Sequence, residues 1–261
     1  METFNFKDFE DKFLEYIEEN LEFFEKCAEE LTGRACKIKV IVEKWDEMNE
    51  INVNELESRE IDSLQKKIYT ISGQENADFR IFNGSIHNQL IIDLNKEPII
   101  YESPCQTPLC FTRLVQECII SNSIYLIGSY FIKVLIMQPT TKKNILVLSI
   151  GKHFNTPDQE YILKSTPKNQ IYFKKKAFDS IIIGRASSDD TIFISESSIS
   201  RQHAEIRFNS RWEIKDTSKF GLWKSLHTSL TLHTNSSALP ITNNLKLKFN
   251  GVILGLYSTL T

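Results

Sequence analysis

Arg185, Ser200, Arg201 and Lys219 are the residues of this chain whose types and spacing could do chemistry, and that chemistry is the grip of an anion. Arg185 follows Gly184 at the end of the apolar run Ile181-Ile182-Ile183. A guanidinium there leaves a strand onto a loop, where its planar fork of donors suits a phosphate. Fifteen residues on, Ser200-Arg201-Gln202-His203-Ala204 brings a short hydroxyl and a second guanidinium to another loop. A third block, Trp212 to Gly221, holds Asp216, Ser218 and Lys219. Backbone N–H groups between such side chains complete an anion pocket, and a phosphothreonine would bring about −1.5 to −2 charge into it. The same residues also admit a plainer account, in which Arg185 caps a strand or pairs with Asp189 or Asp190, and Ser200 and His203 only close a turn.

The elements that must position these loops are strands. Beyond Pro139-Thr140-Thr141, apolar runs recur every eight to twelve residues, the spacing of a β-sandwich. They are Ile145 to Ile150, Ile171 to Phe173, Ser180 to Gly184, Thr191 to Ile194, His203 to Phe208, Arg211 to Ile214, Leu230 to His233, Leu245 to Phe249 and Val252 to Tyr257.

The order and spacing of the three blocks resemble the forkhead-associated (FHA) domain, whose pattern is GR, then SxxHA, then a D…S…G turn. The resemblance covers roughly Asn144 to Thr261. It implies a β-sandwich in which Arg185 and Ser200 contact phosphothreonine on a target peptide, with Arg201 and Lys219 adding positive charge. It also gives His203 a role in loop architecture, with Gly184 and Gly221 as the structural glycines of the motif. The chain departs from the family at Ser218-Lys219-Phe220-Gly221-Leu222, where Ser-Thr-Asn-Gly-Thr is common. Phe220 replaces the asparagine that usually holds the peptide backbone.

Upstream, Phe13, Ile17, Leu21, Phe24, Ala28 and Leu31 step by three or four, which predicts an amphipathic helix over Asp8 to Leu31. A second helix is expected from Glu55 to Ile71, capped by Asn54, with Leu56, Ile61, Leu64 and Ile68 on one side. Short runs at Phe79 to Phe82, Leu90 to Asp93 and Pro98 to Tyr101 read as strands or irregular elements, followed by a helix near Thr112 to Ile120. Residues 79 to 137 also resemble, more weakly, a RING-CH zinc finger. Glu97-Pro98-Ile99-Ile100 and Pro104-Cys105 match two of its steps, and Cys118 lies thirteen residues after Cys105. The other ligand positions hold Phe79 to Phe82, Thr107, Val115, Val134 and Met137. Zinc modules draw their folding energy from four donors per ion, so the resemblance implies a degenerate module without metal.

The expected fold class is therefore α+β and multidomain: an acidic helical region over 1–72, a small irregular α/β, degenerate RING-CH-like module over 73–140, and an FHA-like sandwich over 141–261. Residues 1 to 60 carry 18 acidic against 8 basic side chains, and the remainder 16 against 23. That excess of positive charge is too dilute for a nucleic-acid groove but favours a phosphorylated ligand. The stretch Ile119 to Met137 is interrupted by Ser121, Asn122, Ser123, Ser129 and Lys133, so no membrane span is expected. Neither GxxxxGK[ST] nor GxGxxG occurs, and the five histidines show no metal-ligand spacing. Five cysteines at irregular spacing, behind an acidic N-terminus, read as reduced thiols of an intracellular chain, cytoplasmic or cytoskeletal and ciliary. The expectation is a non-enzymatic adaptor without cofactor that binds a phosphothreonine-containing partner. Two alternatives stand beside it: a structural subunit of a large assembly with a repurposed FHA domain, and a RING-CH type ubiquitin ligase.

Overall fold

Burial alternates with period two along the run from Ile145 to Ile150: Leu146, Leu148 and Ile150 are buried while Ile145, Val147 and Ser149 between them are half-buried. Such alternation makes a strand that packs one face on a core. The computed structural model describes residues 36–44, 54–80, 89–95, 97–137, 144–242, 245–249 and 252–260, and every regular element in them is a strand.

Six strands come first: β1 (Cys36–Lys44), β2 (Asn54–Asp62), β3 (Ile68–Ser72), β4 (Phe79–Arg80), β5 (Leu90–Asp93) and β6 (Ile99–Glu102). Next are β7 (Cys110–Leu114), β8 (Gln116–Cys118), β9 (Ser123–Ile127) and β10 (Tyr130–Met137). They are followed by β11 (Ile145–Gly151), β12 (Gln159–Ser165), β13 (Ile171–Phe173) and β14 (Lys176–Phe178). The motif-bearing strands are β15 (Ser180–Gly184), β16 (Thr191–Phe193), β17 (Ala204–Asn209), β18 (Arg211–Asp216) and β19 (Leu222–Thr228). β20 (Leu239–Pro240), β21 (Leu245–Phe249) and β22 (Val252–Leu260) close the chain.

These build three sheets. A twelve-stranded sheet runs β14-β13-β12-β11-β10-β9-β19-β7-β21-β22-β1-β2, and two five-stranded sheets run β16-β15-β17-β18-β8 and β20-β6-β5-β3-β4. The large sheet serves two cores. One half packs on the sheet of β15 to β18 through Tyr125, Ile127, Ile132, Leu146, Ile181, Ile183, Ile206 and Trp212. The other half packs on the sheet of β3 to β6 through Ile38, Val40, Leu90, Ile92, Ile100, Leu247 and Leu254. Each fully buried Ile or Leu contributes about 1.5–3 kcal/mol relative to exposure.

The helical expectation is overturned within the described residues; the predicted helix Asp8 to Leu31 lies outside them. Glu55 to Ile71 holds β2, a turn and β3. β2 pairs antiparallel with β1, with Ile61 opposite Ile38, and Ile61 is buried while Leu64 and Ile68 are 67% and 43% exposed. The apparent helical stripe is thus not one environment. Thr112 to Ile120 is also not helical. β7 enters the large sheet beside β19, the chain bends at exposed Val115, and β8 joins the opposite sheet beside β18. A strand pair that changes sheet at a bend is how sandwiches make corners.

Among the described residues between 79 and 137 the strands are shared among all three sheets and form no separate finger. Val134 is core, Val115 and Met137 are exposed, and Cys118 lies exposed on β8 while Cys105 is buried. β3 pairs with β4 and β10 with β11. Of the expected strands, Leu230 to His233 is instead a series of turns. Ile119 to Met137 contains the β9–β10 pairing, and no helix among the described residues is long and apolar enough to cross a membrane.

Candidate functional site

The loops after β15 and before β17 are zipped together by their backbones. His203 N–H donates to Ile183 O at 2.8 Å, Arg185 N–H to Ser200 O at 3.1 Å, and Ala186 N–H to Arg201 O at 3.1 Å. The loop segment of residues 200–201 therefore lies directly against Gly184. A Cβ on Gly184 would meet Arg201 O at 2.2 Å, so only glycine permits this approach. The consequence is that Arg185, Ser200 and Arg201 emerge on one rim of the sandwich.

His203 fastens this rim to the third loop. Its ring is fully buried; Nδ1 accepts the Ser200 N–H at 3.1 Å, and Nε2 lies 3.0 Å from Gly221 O. With Nδ1 accepting, the proton sits on Nε2 and is donated to Gly221 O. The Ser200 hydroxyl accepts the Lys219 N–H at 3.2 Å, which draws the 217–220 loop onto the same rim.

That loop is itself closed by a polar turn. The Asp216 carboxylate accepts the Ser218 N–H at 2.9 Å and its hydroxyl at 2.6 Å, and Ser218 Oγ accepts the Gly221 N–H at 2.6 Å. Gly221 has φ +95°, a left-handed conformation that side chains disfavour. Arg113, from β7, ion-pairs with Asp216 at 3.1 Å, packs its guanidinium under Gly221, and stands 5.6 Å from the Trp223 ring centroid. Arg113 lies some seventy residues before the motif, and nothing in the sequence marks it as part of this turn.

Between the three loops is a cleft of about 680 Å³, lined by Arg185, Ala186, Ser197, Ser200, Arg201, Gln202, Thr217, Lys219 and Phe220. All four residues expected to bind phosphate are thus brought together. Arg185, Arg201 and Lys219 are exposed, and no carboxylate lines the cleft. Arg185 makes no ion pair among the described residues: Asp189 is taken by Lys176 and Asp190 by the Ser188 hydroxyl. Nearby acids are committed elsewhere too, Asp216 to Arg113 and Glu196 to Lys152 at 3.0 Å. Burial alone would push Glu196 up, but hydrogen bonds from Lys152, Ser198 and Ser129 outweigh it and hold the carboxyl below the usual glutamate range. Among the described residues, the cleft lining thus holds Arg185, Arg201 and Lys219 and no carboxylate.

The model of the FHA domain family matches residues 181–234. An FHA domain is a phosphothreonine-binding protein-interaction module, and the match spans β15 through β19 with all three loops of the cleft. It does not span the whole sandwich. β19 lies between β9 and β7, and β18 beside β8, so strands that precede the FHA match in sequence complete its two sheets. Neither the curated proteins nor the solved structures gave a match to this chain. The RING-CH resemblance found no support in these comparisons either.

Proposed function

We propose that this chain is a non-enzymatic adaptor whose FHA loops bind a phosphothreonine on a partner protein. The observation that carries this reading is the cleft itself, with Arg185, Arg201 and Lys219 on one rim and no carboxylate in its lining. A planar guanidinium not held by a carboxylate is available for a bidentate phosphate contact. The Ser200 hydroxyl and the loop amides supply shorter-range donors, and His203, Gly184 and Gly221 keep the three loops in register. Phe220, half-buried in the lining, replaces the family's backbone-holding asparagine with an apolar contact. It favours an apolar side chain next to the phosphothreonine.

A phosphothreonine peptide library passed over the full chain tests this. Enrichment of phosphorylated sequences, lost on Arg185→Ala, is expected. Equal retention of phosphorylated and unphosphorylated peptides would instead support a structural subunit in which the FHA scaffold is repurposed.

A further inference from the structure

Away from the cleft, three chemistry-bearing side chains meet in the interior. Glu102 ends β6, Cys105 follows it on the next loop, and His227 lies near the end of β19; all three are buried. One ligand atom from each lies within 4.8 Å of the other two. His227 Nδ1 is 3.0 Å from Thr231 O and donates to it, so the lone pair is on Nε2. Among the described residues Nε2 has no hydrogen-bond partner, and it lies 3.6 Å from Glu102 Oε2. A lone pair facing a carboxylate in a dry interior is a repulsive arrangement unless something positive lies between them.

The geometry points to a divalent transition-metal site formed by Glu102, Cys105 and His227, with zinc the ion that its donors suit. Carboxylate oxygen, thiolate sulfur and imidazole nitrogen are all zinc ligands, and three protein donors leave one tetrahedral position for water. Bonds of roughly 2.0–2.3 Å put neighbouring ligand atoms about 3.5 Å apart. The His227–Glu102 pair, at 3.6 Å, already has that separation, and the Cys105 sulfur lies within 4.8 Å of both. The supporting contacts are those of a metal site. His227 is oriented by a backbone carbonyl, and Glu102 accepts the Leu109 N–H at 2.9 Å and the Cys110 N–H at 3.2 Å. His227 also borders a cleft of about 280 Å³ with Ser123, Ser225 and Thr228, which offers an entry route. The ion would staple the 102–105 segment to the large sheet, reinforcing Cys105 N–H to Leu232 O and Ser236 N–H to Glu102 O. This site shares only Cys105 with the zinc-finger resemblance, whose other retained cysteine, Cys118, lies on β8 in a different sheet.

The test uses the full chain, produced with zinc in the medium and dialysed without chelator. Elemental analysis is expected to give about one zinc per chain, falling below a tenth in Cys105→Ser and in His227→Asn. Cobalt added to the metal-stripped chain supplies a readout that needs no variant: a thiolate-to-cobalt charge-transfer band near the ultraviolet together with visible d–d bands. Zinc below a tenth per chain with no cobalt band would overturn the proposal and leave a buried, protonated His227–Glu102 pair. An ion that persists in both variants would overturn it equally, by placing the metal elsewhere.

Discussion

Replacing His203 by alanine separates a residue that builds the cleft from one that touches the ligand. The ring is fully buried and serves two partners, the Ser200 N–H at 3.1 Å and the Gly221 carbonyl at 3.0 Å. Alanine leaves both without a partner, at about 1–3 kcal/mol each, with the Ser200 amide at the low end because solvent reaches its half-buried loop. A cavity where the imidazole stood adds to this, giving a loss of about 3–4 kcal/mol. For a chain of this size that corresponds to a fall in Tm of roughly 6–16 °C. His203→Gln keeps a donor within reach of Gly221 O and is expected to recover about half. Thermal and urea unfolding read the stability, and fluorescence polarisation with a labelled phosphothreonine peptide reads the binding. Both are expected to fall together. A stability loss below about 1 kcal/mol with binding abolished would refute the reasoning, because the histidine would then act on the ligand and not on the loops.

Arg185→Ala is expected to do the opposite, leaving Tm within about 1 °C, since the side chain is exposed and unpaired, while weakening phosphopeptide binding. Loss of a charge-assisted hydrogen bond of about 1.5–3 kcal/mol corresponds to roughly 10- to 150-fold in Kd, with Arg185→Lys in between because it keeps the charge but not the fork. Gly184→Ala drives a methyl against Arg201 O, so the two loops must part; a loss of about 2–3 kcal/mol is expected in urea unfolding. The Glu196 carboxyl is held below its ordinary value in the folded chain, so its contribution is present above the unfolded value and lost as pH falls through the folded one. Wild type is therefore expected to exceed Glu196→Gln in Tm near neutral pH, with the gap closing on acidification below the ordinary glutamate value of 4.5. A gap that widened with acid would show the opposite linkage.

The cleft's lining was legible because the residues that resemble the FHA pattern sit in short loops at fixed spacing. Arg185, Ser200, Arg201 and Lys219 converge on one cleft, and β13, β15 and β21 begin and end where their apolar runs do. What escaped the sequence is non-local. Leu222 to Thr228 shows no alternation because β19 is a central strand with buried residues on both faces, five of its seven residues being buried. Glu55 to Ile71 carried a helix-like spacing, yet its strand state is decided by pairing with β1 and β5, which no local pattern reveals. Arg113 joins the Asp216 turn only because β7 sits next to β19. The strand-forming preference of Ile and Val between charged residues was the available hint in β1, whose buried Ile38, Val40 and Val42 alternate with Lys37, Lys39 and Ile41.

Amide chemical-shift mapping of the full chain tests the central claim most directly. Titration with a pool of phosphothreonine peptides randomised around the phosphorylated residue is expected to move Arg185, Ala186, Ser200, Arg201 and Lys219, with the unphosphorylated pool leaving them still. Shifts confined to other surfaces, or equal shifts with both pools, would contradict the account.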